Sequence, residues 1–179
     1  MKYKIFFPIV GLMILTLLYP YGYLHSDNSH NTYDKSNISF NYPTNWFQVN
    51  HSNVFGEITN GKTAHFHVTG KVPQGNHSSK ETLSQYYLGE LAYYKSHTKY
   101  FGSQGISFNF VSSGDINVNG QTGHYITLDE KRTTGDQRLM RIFLESKGRI
   151  YTLYLRSTPS NFEDDMKDFQ IILDSFKIN

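Results

Sequence analysis

Apolar residues dominate the first 24 positions of the chain and then give way to polar ones. The run from Ile5 to Leu18 is almost continuously apolar, and aromatic residues extend it to Leu24. At about 1.5 Å per residue, a helix of this extent would be about 30 Å long, which matches the hydrocarbon core of a bilayer. We therefore predict a membrane anchor or signal peptide over 1–24, followed by a polar linker over 25–36.

The N-terminal segment has two interpretations. Lys2 and Lys4 form a positive start, no small-residue cleavage site follows the apolar run, and tyrosines alternate through 19–23 like an interfacial aromatic belt. These features favour an uncleaved single-pass anchor that contacts the membrane through residues 5–24. Counted only to Leu18, the run is closer to a signal peptide, whose cleavage would make the protein secreted. Both interpretations place the remaining chain outside the cell membrane.

From residue 37 to the end, short runs alternate between apolar and polar residues, which is the pattern of half-buried β-strands. Asn60-Gly61 and Asn119-Gly120 mark tight turns, and such short connections imply antiparallel neighbours. The predicted strands cover 38–42, 54–58, 63–69, 106–118, 123–128, 138–145 and 150–156.

Two segments have the periodicity of amphipathic helices instead, and we expect both to pack on the sheet. The first covers 78–99, with Ser78 and Glu81 as a capping box, and the second begins at Ser160, which forms another with Glu163. Their apolar stripes are Leu83, Tyr87, Leu91 and Tyr94 in the first helix and Phe162, Met166, Phe169, Leu173 and Phe176 in the second.

The order of elements predicts an α+β fold, in which an antiparallel β-sheet is flanked by helices. The segment 139–144 is apolar on both faces, which is typical of an interior strand that is covered on both sides. We therefore predict a single domain over 37–179 with the layers of an α/β/α sandwich.

Composition narrows the function classes. The chain has 17 basic and 15 acidic residues, and the two counts become equal when Lys2 and Lys4 are left out. This balance argues against a nucleic-acid-binding protein, whose affinity comes mainly from neutralised phosphates. The lack of cysteine in the sequence excludes disulfides, thiolate chemistry and cysteine zinc sites.

Three segments resemble the PsbP-like family. Residues 38–46 resemble its opening strand with the Pro-x-x-Trp motif, 115–121 resemble its Asn-Gly turn segment, and 172–178 resemble the end of its last helix. The resemblance covers 37–179 and implies a sandwich around an antiparallel sheet, with a binding or assembly role and no catalysis. The membrane-anchored form is similar to archaeal PsbP-related proteins.

A formal match to the phosphate-binding loop lies at 56–63. That loop needs a helix directly after its lysine, whereas a strand pattern follows Lys62, so we expect no nucleotide binding. The sequence also has no Gly-x-Ser-x-Gly elbow and no carboxylate pair apart from the acids that open the second helix. We therefore expect a protein that is not an enzyme and holds no cofactor.

His65 and His67 lie two residues apart on one predicted strand face, which makes them candidate metal ligands. A third ligand would have to come from His51, His77 or His124 through the fold. Exposed histidines facing water are the alternative interpretation of the same spacing.

Two further sets of surface residues are candidates for function. Asn37, Asn50 and Asn76 each begin an Asn-x-Ser triplet, which permits glycosylation of an exported chain. Tyr86 and Tyr93 fall off the apolar stripe of the first helix, which makes them candidates for contact with a partner, and cover for the flanks of the helix is the alternative interpretation.

The sequence as a whole predicts a membrane-anchored extracytoplasmic binding or assembly module whose partner is a cell-surface or membrane protein. The alternatives are a structural or glycan-binding cell-envelope protein and, third, a metal-dependent enzyme.

Overall fold

The computed structural model of the chain describes residues 29–72, 81–96 and 106–179. The predicted anchor over 1–24 and the triplet at Asn76 lie outside these residues. Within the described ranges, no helix is long and apolar enough to cross a membrane. The elements, in chain order, are β1 (His30–Lys35), β2 (Ile38–Pro43), β3 (Phe47–Gln48), β4 (Gly56–Thr59), β5 (His65–Lys71), α1 (Leu83–Ser96), β6 (Ser107–Val118), β7 (Gln121–Lys131), β8 (Gln137–Ser146), β9 (Arg149–Ser157), α2 (Phe162–Ser175) and β10 (Lys177–Ile178).

The strands form two antiparallel sheets. The large sheet has seven strands in the order β3-β4-β5-β9-β8-β7-β6, and the small sheet has three in the order β1-β2-β10. Every residue from Leu139 to Leu144 in β8 is buried, and β8 pairs with β7 on one side and β9 on the other. The prediction of an interior strand covered on both faces is confirmed.

The larger of two cores lies between one face of the large sheet and a layer formed by α2 and the small sheet. Phe40 of the small sheet packs edge-on against Phe66 of the large sheet, with ring centroids 5.0 Å apart. Trp46 packs against Phe169 of α2, and its indole N–H donates to Asp168 at 2.9 Å. The apolar stripe of α2 therefore lies on the sheet as its spacing predicts.

The second core lies on the opposite face of the large sheet, under α1. Its fully buried members are Ile126, Leu128 and Phe143, and Tyr94 of α1 closes it from above. The sheet therefore has a helix on each face, and the predicted α+β class with antiparallel sheets and two helices is confirmed. The sequence did not predict that a small sheet shares the layer of α2.

The predicted linker was wrong for the residues that form β1. This strand pairs with β2 along its whole length, and only Tyr33 among its residues is buried. The Tyr33 ring stacks on Phe40 at 4.9 Å, and its hydroxyl donates to the Phe55 carbonyl at 2.6 Å. One buried side chain in an otherwise polar strand gives no periodic signal, because the outer face of an edge strand contacts water.

The helix caps also differ from the predicted ones. Thr82 and Gln85 form the capping box of α1. The backbone N–H of Gln85 donates to the Thr82 hydroxyl at 3.2 Å, and the backbone N–H of Thr82 donates to the side-chain oxygen Oε1 of Gln85 at 2.9 Å. Ser78 of the predicted box lies outside the described residues. At α2 the N-cap is Asn161, without a side-chain capping bond, so the box predicted from Ser160 was wrong.

Candidate functional site

Helix α1 covers only part of its face of the large sheet. Among the described residues it contacts β6, β7 and β8, and the same face of β4, β5 and β9 beside it is only partly covered, since His65, His67 and Tyr154 are half-buried there. A cavity of about 220 Å³ lies on this uncovered part, and we call it the open-face groove. Its lining residues come from four strands and one loop: Val54, Glu57, His65, His67, Gln137 and Arg156.

Strand register brings these side chains together. In the antiparallel pairing of β5 and β9, His65 lies opposite Arg156 and His67 lies opposite Tyr154. The rings of His67 and Tyr154 stack with centroids 4.3 Å apart. Residues two apart on a strand point to the same face, so the sequence correctly placed His65 and His67 on one surface.

The first wall of the groove is formed by the carboxylate of Glu57, which lies near two histidines. Glu57 lies opposite His67 on the neighbouring strand, and its side chain is 12% exposed. Its Oε2 lies 2.5 Å from Nδ1 of His51, and its Oε1 lies 3.8 Å from Nδ1 of His65. The loop histidine His51, one of the three candidates for a third metal ligand, lies at this site and contacts the Glu57 carboxylate.

These residues do not assemble a metal centre in the described part of the chain. Within those ranges, no group of three or more histidine, cysteine, aspartate or glutamate side chains has a metal-binding arrangement. His124 contacts Asp115 at 2.7 Å and stacks on Tyr87 at 4.5 Å, and His77 lies outside the described residues. Metal binding by His65 and His67 stays a prediction.

The second wall of the groove is built on a buried charge cluster. Glu130 of β7 is 2% exposed, and its Oε1 accepts a bond from Arg132 at 2.6 Å. Its Oε2 lies 4.0 Å from Nη2 of Arg156, which is beyond hydrogen-bonding distance. Several buried atoms around this cluster have no hydrogen-bond partner among the described residues: Glu130 Oε2, Arg132 Nε, Gln137 Oε1 and Arg156 Nε.

Burial determines the charge of His67. Removal from water, and after it the positive charge of Arg156, lower the pKa of His67 to about 4. Burial likewise lowers the pKa of the Arg156 guanidinium, while the Glu130 carboxylate opposes that change. At neutral pH the groove therefore combines a neutral imidazole with a guanidinium that is only partly compensated.

Arg141 joins the groove to α1. Its guanidinium is buried and pairs with Glu90, and it donates to the hydroxyls of Tyr94 at 2.6 Å and Tyr154 at 3.1 Å. Tyr154 also stacks on His67, so the same ring contacts both a lining residue of the groove and the arginine that binds α1. The position of α1 beside the open face is thus set by a charged, hydrogen-bonded contact.

Tyr86 and Tyr93, the tyrosines off the apolar stripe of α1, are only partly exposed. Both are partly buried against the smaller core. The Tyr86 ring packs edge-on against Phe143 at 5.7 Å, Lys71 Nζ lies 4.8 Å from its centroid, and burial raises its pKa to about 12. Tyr93 packs edge-on against Tyr94 at 5.3 Å. Their role in partner contact stays a prediction.

The remaining sequence candidates lie in turns. Asn37 and Asn50 are both exposed, and Asn37 is in the turn between β1 and β2 with φ +64°. Glycosylation at either asparagine stays a prediction. At the formal phosphate loop, Asn60 Oδ1 accepts bonds from the amides of three following residues, and strand β5 comes next. The loop is therefore the hairpin that Asn60-Gly61 predicts.

Sequence reasoning missed the charged residues that build the second wall. Arg141 interrupts the apolar run of β8, and Arg156 falls at an inward position of β9. A charged residue inside an otherwise apolar strand is a usable signal, because such a residue must be paired or functional when it is buried. Glu130 and Gln137 gave no local signal, since each lies near a strand end.

The fold and its open-face groove define a class of protein: an antiparallel α/β sandwich with a polar concave surface beside one helix. A family model described as PsbP-like protein matches residues 24–178, and the chain belongs to this family. No curated protein matches the sequence.

Solved structures share the fold at low sequence identity. Cyanobacterial PsbP (CyanoP) from Synechocystis is 12% identical with a TM-score of 0.56, over 89% of this chain and 99% of that protein. LpqN, involved in cell envelope biogenesis of Mycobacterium tuberculosis, is 10% identical with a TM-score of 0.51, over 84% and 91%. The Saccharomyces cerevisiae Ran-binding protein Mog1p is 8% identical with a TM-score of 0.51, over 84% and 96%.

Proposed function

We propose that this PsbP-like protein is a non-catalytic binding or assembly module that contacts a protein partner through the open-face groove. The observation that carries the proposal is the charge cluster under the groove. There Glu130 and Arg156 are largely buried, and each has a buried polar atom without a hydrogen-bond partner among the described residues. Buried polar groups are ordinarily hydrogen-bonded, so a surface that leaves several of them incomplete is suited to a ligand that completes them.

The composition of the groove supports binding over catalysis. Its lining residues include no hydroxyl or thiol nucleophile. The one strongly perturbed base, His67, is stacked on Tyr154, and its low pKa would leave little driving force for proton abstraction near neutral pH. This face therefore offers hydrogen bonds, charge and shape, which are what recognition requires.

We further propose that the module acts outside the cell membrane, held there by residues 5–24. The support is the hydropathy and charge of the N-terminal segment, and the archaeal relationship rests on sequence resemblance alone. Protease added to intact cells should digest the domain, and mass spectrometry of the N-terminus should find Met1 or its direct neighbour if the anchor is uncleaved. A protected domain would refute the proposed location.

The binding proposal is tested by co-purification from detergent-solubilised membranes. The wild-type protein should recover a stoichiometric protein partner, and Arg156→Gln should lose it. Arg149→Gln is a matched control, since Arg149 lies on the same strand and its guanidinium packs over Phe55 outside the groove. Equal partner recovery with both variants would refute the groove as the contact surface.

The two alternatives have separate readouts. Recovery of the protein in the cell-wall fraction without a protein partner would favour a glycan-binding envelope protein. Metal bound by the purified protein and lost in His65→Ala with His67→Ala would favour a metal-dependent function.

A further inference from the structure

We infer that the open-face groove receives a single carboxylate group from the partner, and that Arg156 is the residue that binds it. This inference rests on the proposed function, because it takes the carboxylate to belong to a protein. The ligand class is thus an acidic side chain or a chain terminus presented by an otherwise unspecified polypeptide.

The first argument is the state of the Arg156 guanidinium. Its side chain is 27% exposed, and in the described part of the chain its one ion-pair partner is Glu130, at 4.0 Å. The Nε atom is buried without an acceptor. A guanidinium has five N–H donors in a planar fork that matches a carboxylate in bidentate geometry. Because Nε is buried, a carboxylate entering the groove would bind the exposed end of this guanidinium, whose Nη2 lies 4.0 Å from Glu130 Oε2 and so beyond hydrogen-bonding distance.

The second argument is the charge balance around this residue. The cluster holds two guanidinium groups, Arg132 and Arg156, and one buried carboxylate, Glu130, whose Oε1 is already occupied by Arg132. With Glu57 of the opposite wall, which contacts His51, the formal charges balance, but Arg156 is the guanidinium that no carboxylate approaches within hydrogen-bonding distance. The opposite wall carries Glu57, held by His51, and this second carboxylate would repel an incoming dianion more than a monoanion. The balance favours a carboxylate over a phosphate group.

The third argument is size. The cavity of about 220 Å³ is smaller than the 300–1,000 Å³ or so of typical small-molecule and cofactor sites. It has room for the end of one side chain. His67 and Gln137 flank the guanidinium and supply further polar contacts, while Val54 forms part of the rim.

The test uses the full chain in detergent micelles, isotopically labelled so that the histidine rings are observed by NMR. The probe is acetyl-glutamate methylamide, and acetyl-glutamine methylamide is the neutral control of equal shape. We expect a saturable shift of the His67 ring signals with the glutamate probe and none with the glutamine probe.

Variants assign the effect to Arg156. We expect at least about tenfold weaker binding of the glutamate probe in Arg156→Gln, because a charge-assisted bidentate pair is lost. Arg156→Lys keeps the charge without the fork and should bind with intermediate affinity. Arg149→Gln should bind as the wild type does. Thermal unfolding of each variant identifies any that fails to fold, and the wild-type titration tests the inference without a variant.

Three outcomes would overturn the inference: equal binding of the glutamine probe, tighter binding of inorganic phosphate, or no shift of the His67 signals with any probe. Failure here is distinguishable from failure of the proposed function. If a partner still co-purifies through Arg156 while the glutamate probe has no effect, the binding module stands and the carboxylate is wrong. If the probe binds and no partner is recovered, the carboxylate site stands and the proposed binding to a protein partner is wrong.

Discussion

At the scale of single residues, His67 links the groove to the stability of the fold. Burial, together with the nearby charge of Arg156, lowers the pKa of His67 from 6.5 to about 4, so between these pH values the unfolded chain binds a proton that the folded chain does not. Its contribution to stability is therefore lost as the pH falls from about 6.5 to about 4, and it amounts to about 3 kcal/mol at most.

We accordingly predict that His67→Gln weakens the pH dependence of folding. The free energy of unfolding of the wild type should fall more steeply between pH 6.5 and 4 than that of the variant, as measured by urea denaturation at several pH values. His30→Gln, which changes an exposed histidine of β1, should leave the steep dependence in place. Equal slopes for His67→Gln and the wild type would contradict the pKa of His67.

Arg141 is the second residue whose role follows from burial. We predict that Arg141→Met destabilises the protein by about 3 kcal/mol, because Glu90 and two tyrosine hydroxyls lose their partner. The double variant with Glu90→Gln should be less destabilised than the sum of the single variants. Additive losses, measured by chemical denaturation, would mean that the pair is not coupled.

At the scale of elements, the two glycines Gly123 and Gly89 have opposite surroundings. A methyl group on Gly123 of β7 would lie 2.4 Å from the Phe143 carbonyl oxygen, and backbone of the paired strand cannot move aside. A methyl group on Gly89 of α1 would meet no atom within 4 Å. The strand therefore requires glycine at its position, while the helix does not.

We predict that Gly123→Ala costs about 2 kcal/mol of stability through this clash, and that Gly89→Ala adds about 0.5–1 kcal/mol through higher helix propensity. Thermal unfolding of both variants under one condition measures the difference. A stabilising Gly123→Ala would show that β7 and β8 are further apart than the structure has them.

At the scale of the whole molecule, one sheet separates two cores of unequal size. Helix α2 buries four residues in the larger core, whereas α1 buries only Tyr94 and leaves Leu88 58% exposed. Less apolar burial gives α1 a smaller share of hydrophobic stabilisation. Of the two helices, α1 beside the groove is therefore the one whose detachment costs less.

We predict that the amides of α1 exchange with solvent faster than those of α2 in native-state hydrogen exchange, because a helix with fewer buried apolar contacts opens locally at a lower free energy. Arg141→Met should accelerate exchange in α1 and leave α2 unchanged, since the arginine contacts only the first helix of the two. Equal protection of both helices in the wild type would contradict the unequal cores.

Local patterns were sufficient for most elements of this chain. The continuous apolar run of β8, the stripe of α2 and the Asn60-Gly61 hairpin each depend on residues within four positions of one another, so the sequence predicts them directly. Membership of β1 in the small sheet was not predictable, because its evidence is a single buried tyrosine.

The groove, in contrast, depends on contacts between residues that are far apart in the sequence. The same spacing that predicts a shared face for His65 and His67 says nothing about what lies opposite, which depends on the pairing of β5 with β4 and β9. Among the described residues, the open face lies beside α1, which contacts β6, β7 and β8 and is bonded to β8 through Arg141. Such contacts join residues dozens of positions apart, and their energies arise only when tertiary packing excludes water around them.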